Sequence, residues 1–135
     1  MKQITIQFPE HYSQEQIDAW IARSTFPAGP KYNGSLYDHS VFDKIRSWAK
    51  DRGIYTSGDP KTQTLKLMEE MGEVAKAILK SDQAEILDGI GDCVVVLTNL
   101  AHLNNLTIEE CIQSAYNEIK ERQGKMANGT FVKNH

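Results

Sequence analysis

The chain has 135 residues, enough for one domain with a core of its own. A net charge of −3 gives it no general attraction for nucleic acid or a membrane surface, and an anionic substrate would need a metal and local Lys or Arg to approach. Apolar residues make up 40 % and aromatic ones 8 %, which favours a helical protein that buries part of its apolar surface against another subunit.

Residues 1–8 alternate Ile4, Ile6 and Phe8 with polar neighbours and predict a short strand or extended arm. Ser13 with Gln16 three residues on is a capping-box start for a short helix to about Ser24. The Pro- and Gly-rich TFPAGPKYNGS then reads as a linker. Ser40 followed by Asp43 opens a second helix, which ends at Gly53. Asp59-Pro60 is an N-cap with proline in the first turn, predicting a long helix to about Lys80.

SDQ at 81–83 breaks the chain and recaps it for a helix over 83–103. Its β-branched run at 94–96 could be a strand, but the flanks keep a helical period over about six turns. Asn104-Asn105 is a turn, and Thr107 with Glu110 caps a last helix to about Arg122. The tail GKMANGTFVKNH reads as irregular. Short loops between long helices imply antiparallel neighbours. The expected fold is therefore all-α, an antiparallel helical bundle over 39–125, with an N-terminal extension and linker at 1–38 and a tail at 126–135.

The acidic residues carry the chemistry. At 100° per residue, Glu70 and Glu73 share a face with Leu67, Val74 and Ala77, and Asp88 and Asp92 share one with Val95, Val96, Asn99 and Leu103. These carboxylates fall on stripes that should face the core, where an unpaired charge is too costly to keep. A solvated acidic face is the ordinary alternative, and the apolar company of these residues argues against it. Glu70 and Glu73 are i,i+3 and Asp88 and Asp92 are i,i+4, so each pair reaches one point beside its helix. Antiparallel packing across the turn at Ser81 would bring the two pairs together. Oxygen-only ligands then point to a hard cation, Mg²⁺ or Mn²⁺. Glu69 points about 100° away from Glu70 and is read as outer or solvated. Glu85 lies on the Asp88 face, near the helix start, where the helix dipole alone accounts for it.

At these residues the chain resembles the MazG-like members of the all-α NTP pyrophosphatase superfamily, whose signature is EExxE, a spacer, then ExxD. EEMGE at 69–73 matches the first half. In the second half, aligning the following apolar run puts Gly89 where the family has Glu, and Asp88, one residue earlier on the same face, could substitute for it. Glu85-Ile86-Leu87-Asp88 also fits ExxD literally but leaves the following VVVLTNL out of register, so Asp88 and Asp92 are preferred. The resemblance spans roughly residues 40–125 and takes in Gln63, Lys66 and Leu67, Asn99, and a late AYNEIKER containing Asn117 and Arg122. It implies a MazG-like bundle built from two or more subunits, a homodimer or homotetramer. It also implies hydrolysis of a nucleoside triphosphate to the monophosphate and pyrophosphate. Glu70, Glu73 and Asp92 would be catalytic, Glu70, Glu73, Asp88 and Asp92 would hold the metal, and Gln63, Lys66, Asn99, Asn117, Arg122 and Lys125 would bind substrate. Lys76, Lys80 and Lys120 are further candidates for the leaving pyrophosphate, and Trp48 or Tyr116 for stacking on the base.

No P-loop, GxSxG or HExxH pattern is present, and no histidine follows a Glu by three, which removes the di-iron bundle. Two other readings stand beside the general hydrolase: a base-specific dUTP or dCTP pyrophosphatase, and a helical interaction module that kept the fold without the chemistry. Cys93 and Cys111 have no zinc spacing and read as buried thiols in a reducing cytoplasm. KQITIQF is too short and polar for a signal peptide, and the longest apolar run, 93–97, is far below membrane-spanning length. The expected location is the cytoplasm, with no membrane or nucleic-acid partner.

Overall fold

The computed structural model describes residue 10, residues 12–18 and residues 40–135. The expected N-terminal strand, the linker and the end of the first helix lie outside the described residues. Helix α1 is seen over 14–18, and its capping box is formed. The Gln16 amide donates to Ser13 Oγ at 3.1 Å, and the Ser13 amide donates to Gln16 Oε1 at 3.0 Å.

From residue 40 the fold is all-α, closed by one small hairpin. The elements are α2 (Val41–Asp51), α3 (Ile54–Ser57), α4 (Pro60–Leu79), α5 (Gln83–Leu103), α6 (Ile108–Ile119), β1 (Gly124–Ala127) and β2 (Thr130–Lys133). Asp59 stands extended and accepts from the Thr62 amide at 2.8 Å, and Pro60 has no amide to leave unpaired. Ser81 turns the chain at φ 55°, and Asp82 caps α5 through the Glu85 amide at 3.1 Å. With so short a connection α4 and α5 fold back antiparallel and pack along their length. Midway, Gly89 lies against Val74, and a Cβ there would sit 2.8 Å from Val74 Cγ2.

Helix α5 is the centre, since α2, α3, α4 and α6 all rest on it. Arg46 of α2 ties the far end together. It donates to both Glu109 oxygens at the start of α6 and to Asp43, each at 2.7 Å. Thr107 and Glu110 form the full capping box that starts α6. The buried residues are few and small: Ala49, Ala77, Val96, Thr98, Asn99, Ala101 and Ile108 make up the core beside Glu70. Leu65, Met68, Ile78 and Leu79 are exposed on α4, and Ile112, Tyr116 and Ile119 are exposed on α6.

Several expectations change. Ser40 precedes α2, but its side chain does not cap it, because its backbone (φ −94°, ψ 12°) is not extended as a cap requires. α6 ends at Ile119, one turn before Arg122. The tail is not irregular: Gly124–Ala127 pairs antiparallel with Thr130–Lys133. Asn128 and Gly129 take φ 52° and 82°, the two left-handed residues of a tight hairpin turn. Asn-Gly between KMA and TFV was the signal for it. Finally, α5 as a whole is long and apolar enough to cross a membrane by length and composition, although its longest unbroken apolar run is short. In this chain α2, α3, α4 and α6 pack against it, and its carboxylates Asp88 and Asp92 line a cleft.

Candidate active site

Glu70 is the centre of the site. Its position in the α4 stripe carries it between α4 and α5, where it is 7 % exposed. Oε1 faces Lys66 Nζ at 3.1 Å, one turn back on the same helix, and Oε2 has no hydrogen-bond partner. Such a buried bare carboxylate oxygen is rare and marks a place where something charged belongs. Lys66 also reaches Glu69 at 3.6 Å, and these two carboxylates raise its pKa, Glu70 foremost.

The other acids sit at the edge of the stripe rather than inside it. Glu73, Asp88 and Asp92 are exposed, a correction to the expectation that all four face the core. A helical wheel does not separate the middle of a buried stripe from its rim. With Lys76, Lys80 and Glu85 they line a cleft of about 360 Å³ between α4 and α5. The charge of Glu70, followed by lost hydration, raises the pKa of Glu73. Desolvation raises that of Asp92, with Glu70 and Asp88 adding to it. The field of the cluster is thus negative enough to favour protons, or a cation, on its members. Among the described residues, no three acidic, His or Cys side chains as they stand close on one point at metal-ligand distance. Glu73 and Asp88 are at the surface. The donor chemistry fits a hard divalent ion: carboxylate oxygens only, one of them buried and bare.

A second cleft, of about 310 Å³, opens on the other side of Asp92. Trp48, Ile54, Val95 and Val96 give it apolar walls, and Gln63, Lys66, Glu70 and Asn99 give it polar groups. Asn99 is 2 % exposed, and its Oδ1 accepts from Tyr55 Oη at 2.8 Å. Tyr55 in turn stacks on His102, with ring centroids 3.8 Å apart. Arg52 lies over the Trp48 ring at 4.8 Å. Tyr55 was not anticipated from sequence, because a four-residue helix shows no period and the contact spans 44 residues.

The structure therefore brings Glu70, Glu73, Asp88, Asp92, Gln63, Lys66 and Asn99 to two adjoining clefts, with Asp92 common to both. It does not bring Asn117, Arg122 or Lys125 there. Asn117 accepts from Gln113 at 3.0 Å, Arg122 stands 3.8 Å from Glu118, and Lys125 lies in β1 opposite Val132. Gly89 is the position at which the resemblance places a Glu. It is at the α4–α5 contact, where any side chain would strike Val74, and Asp88 beside it faces the acidic cleft.

A family model, the MazG nucleotide pyrophosphohydrolase domain, matches residues 59–127, from the cap of α4 to the first strand of the hairpin. Over 66 residues the chain is 42 % identical to an "Uncharacterized 18.2 kDa protein in rep-hol intergenic region" of Haemophilus phage HP1. The match covers 49 % of this chain and 40 % of that protein, so the similarity spans well under half of the relative's length. No solved structure matches. The family match spans more than half of the chain and contains the whole acidic cleft, so this protein belongs to the MazG nucleotide pyrophosphohydrolase domain family.

Proposed function

We propose that the chain hydrolyses nucleoside triphosphates to the monophosphate and pyrophosphate, with a divalent cation as cofactor. The observation that carries the cation is Glu70 Oε2, buried and bare, beside two carboxyls that hold protons more tightly than usual. Glu70, Glu73, Asp88 and Asp92 would hold Mg²⁺ or Mn²⁺. Bound there, such an ion neutralises phosphate charge and makes water a better nucleophile. Lys76 and Lys80, in the same cleft, supply cations for the outgoing pyrophosphate. One of the four carboxylates would take the proton of the attacking water.

The second cleft suits the nucleoside. Trp48 offers a ring face, and Asn99, whose oxygen accepts from Tyr55, would turn its amide nitrogen to the ligand. That fixed amide favours a base-selective enzyme over a general one. The exposed faces of α4 and α6 support a homodimer or homotetramer, and in such an assembly Asn117, Arg122 and Lys125 would reach the phosphates from a neighbouring copy. A cytoplasmic location, with no membrane or nucleic-acid partner, completes the proposal. The test is a panel of nucleoside triphosphates assayed for pyrophosphate release with Mg²⁺, with Mn²⁺ and with a chelator. Release that needs the metal supports the enzyme, and selectivity within the panel decides between general and base-specific action. No release from any nucleotide would leave the interaction module.

A further inference from the structure

Lys66 is the cation that, among the described residues, stands within ion-pair distance of the buried Glu70. The two differ in freedom. The Glu70 side chain is 9 % exposed and held between helices, whereas that of Lys66 is 47 % exposed on a flexible stem. Lys66 is therefore the partner that can leave. One ammonium does not satisfy the cluster, since it meets only one Glu70 oxygen and the charge of Glu70 still weakens the acidity of Glu73. Lys66 also lines the second cleft together with Gln63, Asn99 and Asp92, so an ammonium released from Glu70 stays beside the wall shared with the acidic cleft, where a nucleotide spanning both would carry its first phosphate.

We infer that Lys66 is a resident counter-ion: its ammonium holds Glu70 in the metal-free protein, competes with the divalent cation for that carboxylate, and on displacement turns to the anionic ligand in the same cleft. This rests on the cation-binding reading proposed above. It makes Lys66 a positioning residue whose first effect is on metal affinity, and it gives the metal-free protein a way to tolerate a buried charge.

The experiment titrates Mn²⁺ into the full chain, with no nucleotide, by calorimetry, comparing wild type, Lys66→Met, Lys66→Arg and Lys76→Gln. Lys76 shares the acidic cleft, so its loss measures the general effect of removing one positive charge. Lys66→Met should bind Mn²⁺ roughly fivefold more tightly than wild type, a gain scaled to a half-exposed ion pair. Lys66→Arg should stay near wild type, and Lys76→Gln should gain less than about twofold. Metal-free Lys66→Met should also melt below wild type and recover fully with saturating Mn²⁺. In wild type, the Lys66 side-chain NMR signal should shift when Mg²⁺ alone is added, which tests the displacement without any variant.

Equal gains for Lys66→Met and Lys76→Gln, no gain for Lys66→Met, or a Lys66 signal that ignores saturating Mg²⁺ would each overturn the inference while leaving the metal site standing. Absence of Mn²⁺ binding by wild type and every variant at millimolar concentration would remove the metal site and the inference together.

Discussion

Glu70, Glu73 and Asp92 do different things although all are carboxylates, and substitutions should separate them. Glu70→Gln and Asp92→Asn should lower metal-dependent pyrophosphate release by about 100-fold or more, since even indirect partners of a metal are worth 10–100-fold. Asp88→Asn should fall nearly as far if Asp88 replaces the Glu that Gly89 cannot provide. An unchanged rate would confine the cation to the other three. The metal-free protein offers a second measurement. Glu73 and Asp92 bind protons more readily when folded, so the stability they contribute is full below their unfolded pKa values and is lost as pH rises through the raised ones. Metal-free Glu73→Gln should therefore melt above wild type at pH 7, with the difference closing toward about pH 4, as melting curves across pH would show. Glu109 has the opposite sign, because the hydrogen-bonded Arg46 lowers its pKa and its contribution is lost on acidification.

Local chemistry made most elements legible. Asp59-Pro60, Asp82 and the Thr107–Glu110 box announce helix starts through atoms only three residues apart, and the structure forms each of those bonds. The hairpin carried an equally local signal in Asn128-Gly129. What the chain did not show is how deep each acid would lie. Glu70 and Glu73 lie about 60° apart on one face of a wheel, and the approach of α5 buries one and leaves the other at the rim. Nor could sequence reveal that Tyr55 would fix Asn99. The same approach sets a limit at Gly89. Alanine improves helix propensity by about 1 kcal/mol, but here its methyl meets the stiff side chain of Val74 at 2.8 Å, and overpacking of this kind costs about 1–3 kcal/mol. Gly89→Ala should thus lower the melting temperature, and Gly89→Glu should lower it further instead of adding a ligand. A rise in either would mean that α4 and α5 are not locked at this contact.

At the scale of the molecule, a single chain leaves its apolar surface half covered. Leu79 is 87 % exposed and Leu65 67 %, both on α4. Faces like these usually mark contacts between chains. Light scattering at micromolar concentration should give a dimer or tetramer, and Leu65→Asp with Met68→Asp should shift it toward monomer. A wild-type monomer that retains full activity would rule out assembly as a requirement. Within the chain the two clefts meet at Asp92, so a cation in one and a ligand in the other would be linked, and any such linkage is reciprocal. Charge drawn to Asp92 from the acidic side alters what the nucleoside side can hold, and the reverse effect must be equal. A nucleoside with no phosphate at all should therefore bind with an affinity that depends on Mn²⁺, and should change the affinity for Mn²⁺ by the same factor. Asp92→Asn should uncouple the two.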